Sequence, residues 1–188
     1  MSDDGNYTTL DGVADNDNSE MPRDYHDDNN SYGDYYNWYA ATAESGTRTT
    51  SPGDEAENSI CPKGWQLPVN GITTNGVTDK TKSWGMLLND DRYYNYIDVE
   101  GTQTDNNEYG TAEGPSMAMR KLPLSLPFTG HYYWGNGKLY YRDSGGYFWS
   151  SAAAQNNYGR HLVLRTNNIS PQNGLSKNYG LSVRCVKK

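Results

Sequence analysis

Three segments near the C terminus have the pattern of β-strands, and the second and third show the period of two that is typical of a half-buried strand. They are residues 145–151 (GGYFWSS), 160–165 (RHLVLR) and 179–186 (YGLSVRCV). A polar stretch, TNNISPQNGLSK, fills residues 166–177 between the second and the third. Glycine-rich GNG and SGG segments upstream predict hairpin turns. The pattern therefore predicts antiparallel β structure in the C-terminal half of the chain.

The alternation also predicts which side chains face the core. In the second segment it places Leu162 and Leu164 on a buried face, and His161, Val163 and Arg165 on the outward face. The residues predicted to be buried in the three segments are Leu162, Leu164, Trp149 and Val183.

The polar stretch predicts a loop, from Asn167 to Asn178, that lies beside the outward row. Tyr and Arg anchor many binding surfaces, and Asn and Ser supply adaptable hydrogen bonds. Tyr132, Tyr133 and Trp134 are expected to border the patch. We predict a ligand-binding surface here; the alternative is an ordinary polar surface without a ligand. The predicted residues are Tyr158, Arg160, His161, Val163, Arg165, Asn167, Asn168, Ser170, Asn173, Leu175, Ser176 and Asn178.

The domain organisation follows from length and composition. With 188 residues and 34% hydrophobic content, the chain fits one domain and leaves no room for two good cores. Residues 1–34 are acidic and predict a loosely held arm, whereas residues 35–188 predict the folded domain. Trp84, Leu87 and Leu88 recur near helical spacing and predict a short helix. No apolar run reaches the ~18 residues of a membrane helix, so no membrane span is predicted.

Charge is distributed unevenly around a net value of −7. Acids crowd the first 34 residues, while the basic residues of the last fifty stand singly among Asn, Ser and Gly. Nucleic-acid binding needs clustered Lys and Arg or a recognisable motif. The basic residues therefore predict a solvated face, and no nucleic-acid partner is expected.

The two cysteines, Cys61 and Cys185, allow two interpretations. A disulfide closing so long a loop would add stability and would need an oxidising compartment. Alternation places Cys185 inward with Leu181, where such a bond is feasible. Two buried free thiols are the alternative. A zinc site is not expected, because neither cysteine has a Cys or His partner nearby in the sequence.

Catalysis is not predicted. An enzyme needs a nucleophile, a base or a metal with suitable partner groups close to it. His26, His131 and His161 are far apart in the sequence. The acidic runs at residues 24–28 and 89–91 do not follow EF-hand spacing and predict solvated acids. We expect no metal and no cofactor.

Four segments together resemble a known family. YYNWYAATA (residues 35–43), SICPKGWQLP (residues 59–68), GGYFWSS and YGLSVRCV, in this order, resemble the Fibrobacter succinogenes major paralogous domain. That family is related to proteins with a C-type lectin fold of the formylglycine-generating-enzyme-like subclass. The resemblance covers about residues 35–187. It implies an α+β fold in which N- and C-terminal strands pair, two helices flank, and a small twisted antiparallel sheet carries long loops.

Several relatives of that family are variable proteins of diversity-generating retroelements. Their scaffold stays fixed, while adenine-directed mutagenesis changes surface residues near the C terminus. Asn codons altered in this way do not yield Gln or Lys, so Gln155, Gln172 and Lys177 are expected to be scaffold residues or to be altered at another codon. The closely placed cysteine pair of the oxidase relatives and the calcium–sugar tripeptides of animal C-type lectins do not occur in this sequence.

Residues and resemblance together predict a ligand-binding, receptor-like or adhesin-like protein that displays a diversified surface. A protein or glycan on another cell or on a virus surface is the expected partner. A cell-surface, secreted or virion location is expected rather than a cytoplasmic one. The alternative is a structural or adhesive module of a cell envelope that is not diversified.

Overall fold

A computed structural model describes residues 7–9, 23–25, 33–51, 53–69, 84, 120, 125–165 and 168–188. The elements, in chain order, are β1 (Tyr7–Thr9), β2 (Arg23–Tyr25), β3 (Tyr35–Tyr36), α1 (Trp38–Ala41), β4 (Trp65–Gln66), β5 (His131–Tyr133), β6 (Lys138–Tyr140), β7 (Gly145–Gln155), β8 (Tyr158–Arg165), β9 (Asn168–Ser176) and β10 (Val186–Lys187).

The largest sheet contains β7, β8 and β9, with β8 in the middle. Both pairings are antiparallel. Tyr147 lies opposite Val163 and Phe148 opposite Leu162, so the parity of β7 and β8 is the one that alternation predicts. The predicted antiparallel arrangement is therefore confirmed for β7 and β8. The third segment was predicted as a strand, but its residues 180–182 make only isolated bridges, and the bridge between Phe148 and Ser182 is parallel.

The polar stretch is a strand, and its prediction as a loop was wrong. Nine residues, Asn168–Ser176, form β9 along one side of β8. An edge strand needs hydrogen bonds on one side only, so it tolerates Pro171 and Gly174 where a central strand would not. The pairing shifts register between His161 and Val163 of β8, close to the proline.

Smaller sheets surround this one. β5 and β6 form a hairpin around residues 134–137, which confirms the GNG turn. β6 leads through the SGG turn into β7, but the two strands are not hydrogen-bonded neighbours, so that second hairpin prediction was wrong. The acidic arm contributes β1 and β2. β2 pairs with β1 on one side and with β3 on the other. β10 pairs antiparallel with β4.

One face of β8 packs on the aromatic core. Val163 lies in a buried cluster with Trp38 of α1, Trp149 of β7 and Leu181. The Trp38 ring reaches the sheet because Gly159 has no side chain: a Cβ there would lie 2.7 Å from the ring. Aromatic side chains supply much of this core.

The opposite face of the sheet is buried as well. Leu162 and Leu164 of β8 and Phe148 of β7 are almost inaccessible to solvent, and the Trp84 ring lies 6.4 Å from that of Phe148. The predicted burial of Leu162, Leu164 and Trp149 is confirmed.

His161 and Val163 were predicted to face solvent, and this was wrong: each is 2% exposed. Alternation identifies which side chains share a face, but a middle strand covered on both sides buries both sets. Val183, predicted to be buried, is half-buried, because residues 183–185 leave the strand pairing after Ser182.

Cys61 and Cys185 form a disulfide, with their Cα atoms 5.7 Å apart. Each cysteine lies a few residues before one strand of the β4–β10 pair. Of the two interpretations that the sequence leaves open, the structure has the bonded one.

The described residues thus form mostly small antiparallel sheets with very little helix. The two flanking helices are not seen among them, and the lectin-like topology stays a prediction. The predicted helix after Trp84 lies outside the described residues, apart from Trp84 itself. Within the described part of the chain, no helix is long and apolar enough to cross a membrane.

Candidate ligand-binding groove

A cavity of 320 Å³ opens at the end of the main sheet where β7 turns into β8. Five aromatic residues line it: Tyr39, Tyr133, Trp134, Tyr158 and Tyr179. The remaining lining residues are Arg48, Asn157, Ser176 and Asn178. We call this cavity the aromatic groove.

Strand pairing brings the polar rim of the groove together. Tyr158 begins β8 directly after the turn that contains Asn157, and it lies opposite Ser176 at the end of β9. Tyr158 is 43% exposed, so much of its side chain is available to a ligand. Asn178 and Tyr179 follow in the turn after β9.

The aromatic wall is fixed by contacts between rings. Tyr133 contacts Trp134 at 5.7 Å and Tyr179 at 5.2 Å between ring centroids. The Tyr133 ring folds over Gly135, where a Cβ would lie 2.8 Å from it. Aromatic pairs in such tilted arrangements attract each other beyond simple burial. The rings therefore form a largely preformed surface.

Lys177 holds the segments behind the groove together. Its side chain is fully buried, and its Nζ donates hydrogen bonds to the carbonyl oxygens of Thr47 at 2.6 Å and Asn156 at 2.9 Å. The same ammonium lies 4.4 Å from the centroid of Trp38, within range of a cation–π interaction. Residues 47, 156 and 177 each neighbour a residue that lines the groove, so Lys177 fixes the spacing of its walls.

A second aromatic cluster lies at the far end of β8. The Arg165 guanidinium donates a hydrogen bond of 3.1 Å to the Tyr147 hydroxyl and lies 5.1 Å from the ring of Tyr141. The exposed Tyr141 has a φ of 59°, an unusual conformation for a bulky side chain.

Two buried histidines border this cluster. The ring of His131 lies 4.6 Å from that of Tyr147. Burial, followed by the positive charge of Arg165, lowers the pKa of His131 to about 4. Burial, followed by the charge of His131, lowers the pKa of His161 to about 3, while a hydrogen bond with the Asn173 backbone opposes the shift. Both imidazoles are therefore neutral at neutral pH.

Comparison with protein families matches one family over nearly the whole chain. The family model of the Fibrobacter succinogenes major domain covers residues 4–187. The chain belongs to this family. The match extends the resemblance seen in the sequence, because it includes most of the acidic arm that the four motifs left out. No curated protein and no solved structure matches the chain.

In this Fibrobacter succinogenes major domain, the predicted surface does not form one patch. Tyr158, Ser176 and Asn178 meet at the aromatic groove. Arg165 lies seven residues along β8 from Tyr158, a separation of about 23 Å at the usual rise of a strand. His161 and Val163 lie between them and are buried.

The other predicted residues differ in exposure. Asn173 is exposed, and Asn178, predicted to belong to the ligand-binding surface, is only 6% exposed. Asn167 and the side chain of Asn168 lie outside the described residues. The predicted residues that are half-buried are Arg160, Ser170, Leu175 and Ser176.

Sequence reasoning missed Tyr39, Arg48, Asn157 and Tyr179. They come from α1, from the loop after it, and from two turns, so no local period links them. For the two tyrosines, the only signal in the sequence was an aromatic residue at the end of a segment. The same signal identified Tyr133 and Trp134.

A second cavity of 330 Å³ lies beside the disulfide. Its walls include Lys63, Gly64, Trp65 and the terminal Lys188, and Ser151 donates a hydrogen bond to the Glu55 carboxylate at its edge. Since the two cavities have similar volumes, their wall chemistry distinguishes them. Only the groove concentrates aromatic rings with polar groups in the manner of recognition surfaces.

Proposed function

We propose that this Fibrobacter succinogenes major domain is a ligand-binding protein and that the aromatic groove is its binding site. The observation that carries the proposal is the wall of Tyr and Trp rings beside Asn, Ser and Arg side chains. The hydrogen bonds of Lys177 hold together the segments that carry them. Rigid aromatic anchors surrounded by adaptable polar groups are typical of binding surfaces.

The partner we propose is a protein or a glycan on another cell or on a virus surface, and the role is binding without catalysis. The disulfide supports a site of action in an oxidising compartment, as a surface or secreted location provides.

We further propose that the scaffold is C-type-lectin-like and that its groove end is diversified by a retroelement. Two features support the diversification. The turn at residues 156–157, between β7 and β8, is exposed. Lys177, whose residue type lies outside the products of adenine-altered Asn codons, is a buried scaffold residue.

Array binding tests the binding site. The wild-type protein and the variants Tyr158→Ala and Tyr141→Ala are applied to glycan and protein arrays. Tyr141 is the matched control, because it is also an exposed tyrosine but lies at the far end of β8. We expect wild-type signals to disappear with Tyr158→Ala and to persist with Tyr141→Ala. Equal signals from wild type and Tyr158→Ala would contradict the assignment.

Gene context tests the diversification. A near-copy of the coding sequence for residues 150–187, together with a reverse-transcriptase gene, is expected near this gene. If both are missing from the complete genome, the non-diversified adhesive module of a cell envelope becomes the better proposal.

A further inference from the structure

The nine residues that line the aromatic groove belong to two chemical classes only. Five present aromatic rings, and four present amide, hydroxyl or guanidinium groups. Among these described lining residues there is no aliphatic side chain and no carboxylate. A ligand for such a site needs flat carbon–hydrogen faces for the rings and hydrogen-bonding groups around its rim.

A sugar ring has this combination. One face of a pyranose carries a row of C–H bonds, which pack on the electron-rich face of an aromatic ring. Its hydroxyl groups project around the edge, where Asn amides and a Ser hydroxyl can donate and accept hydrogen bonds. Tyr158 and Trp134 offer ring surface, while Asn157 and Ser176 stand beside Tyr158.

Other ligand classes fit the walls less well. A lipid or an aliphatic peptide needs aliphatic walls, and a hard cation needs carboxylate oxygens. Single-stranded nucleic acid also stacks on aromatic rings but requires a strongly cationic channel, whereas this chain carries a net charge of −7. A standard protein interface takes roughly 20–30 residues from each partner, whereas nine residues line the groove.

We propose that the aromatic groove binds a neutral pyranose ring of a glycan, that Tyr158 and Trp134 supply the stacking surface, and that binding needs no metal ion. This inference rests on the proposed function and narrows its ligand to one class. Because ring contacts hold Tyr133, Trp134 and Tyr179 in place and Lys177 joins the segments behind the groove, little ordering of these residues accompanies binding.

Titration with methyl glycosides of neutral hexoses tests the proposal, with ligand-observed NMR as the readout. Each titration is repeated with EDTA and with Tyr158→Ala and Tyr141→Ala. At least one glycoside is expected to bind, with affinity unchanged by EDTA and by Tyr141→Ala. Tyr158→Ala is expected to weaken binding about tenfold or more, as truncation of a central aromatic anchor does.

Two outcomes overturn the proposal: no glycoside binds, or EDTA abolishes binding. The array experiment separates this failure from failure of the proposed function. Tyr158-dependent signals on proteins alone would leave the groove as the binding site and reject the sugar. Array signals that do not depend on Tyr158 would reject both.

Discussion

Lys177 combines full burial with a charged group. Its ammonium donates hydrogen bonds to two carbonyl oxygens and lies over the Trp38 ring. A buried charge is tolerated only when its hydrogen bonds are made. The residue is therefore a structural anchor, although lysine is ordinarily a surface residue.

Replacing this lysine tests the anchor. Lys177→Met keeps most of the stem volume and leaves the Thr47 and Asn156 carbonyls without the ammonium, so we expect the free energy of unfolding to fall by about 3 kcal/mol. Lys138→Met on β6, an exposed position, is the matched control and should change it by less than about 0.5 kcal/mol. Urea denaturation measures both, and equal midpoints would contradict the role of Lys177.

The buried histidines predict a pH dependence of stability. Their pKa values are lowered in the folded state, to about 4 for His131 and about 3 for His161. Between pH 6.5 and 4 the unfolded chain therefore binds more protons, and stability falls as the pH falls through this window. Each histidine contributes a slope of at most about 1.4 kcal/mol per pH unit.

The variant His161→Phe isolates one of these contributions. Denaturation midpoints measured from pH 7.5 to 4 should decline less steeply for the variant than for the wild type, because one titrating group is gone. Parallel curves would show that His161 does not carry this dependence.

At the level of elements, β7 and β8 were predictable, but their surroundings were not. Strand patterning identifies these two strands, and GNG identifies the β5–β6 turn. Burial of His161 and Val163 was not predictable, because the period does not reveal how many layers cover a strand. β9 has no apolar period, since its edge position makes few demands on side chains.

The candidate site was predictable in the same limited sense. The predicted surface included Tyr158 and Ser176, which line the groove, and Arg165, which lies elsewhere. Tyr39 and Arg48 reach the groove only through tertiary folding, so no local pattern indicated them.

Substitutions along β8 should differ sharply in effect. Val163→Asn places an amide in the core cluster and is expected to lower the free energy of unfolding by about 3 kcal/mol or more. Tyr158→Asn, at an exposed position of the same strand, should change it by less than about 1 kcal/mol. Thermal or urea unfolding compares the two, and similar losses would mean that the groove end of β8 is also part of the core.

At the level of the whole molecule, the disulfide connects residues 124 positions apart. Closing a loop of that length restricts the unfolded chain by about 4–5 kcal/mol in the chain-entropy model. The β4–β10 pair has only two residues in each strand, so it contributes little attachment by itself.

Removing the bond therefore tests how the C-terminal segment is held. The double variant Cys61→Ala/Cys185→Ala is expected to have a free energy of unfolding about 3 kcal/mol or more below that of the oxidised wild type. It should therefore unfold at a clearly lower urea concentration. Addition of a reductant should lower the wild-type midpoint and leave that of the variant unchanged. If the reductant shifts both midpoints equally, its effect is not on this bond.

The double covering of β8 has an evolutionary consequence. Interior positions of the strand are closed to change, whereas its two ends and the adjoining turn remain open to it. Related proteins could acquire new partners through a few side chains at the ends of β8, without substitutions at the buried positions on which folding depends. Evolutionary change in ligand recognition and the stability of the fold would then depend on different residues.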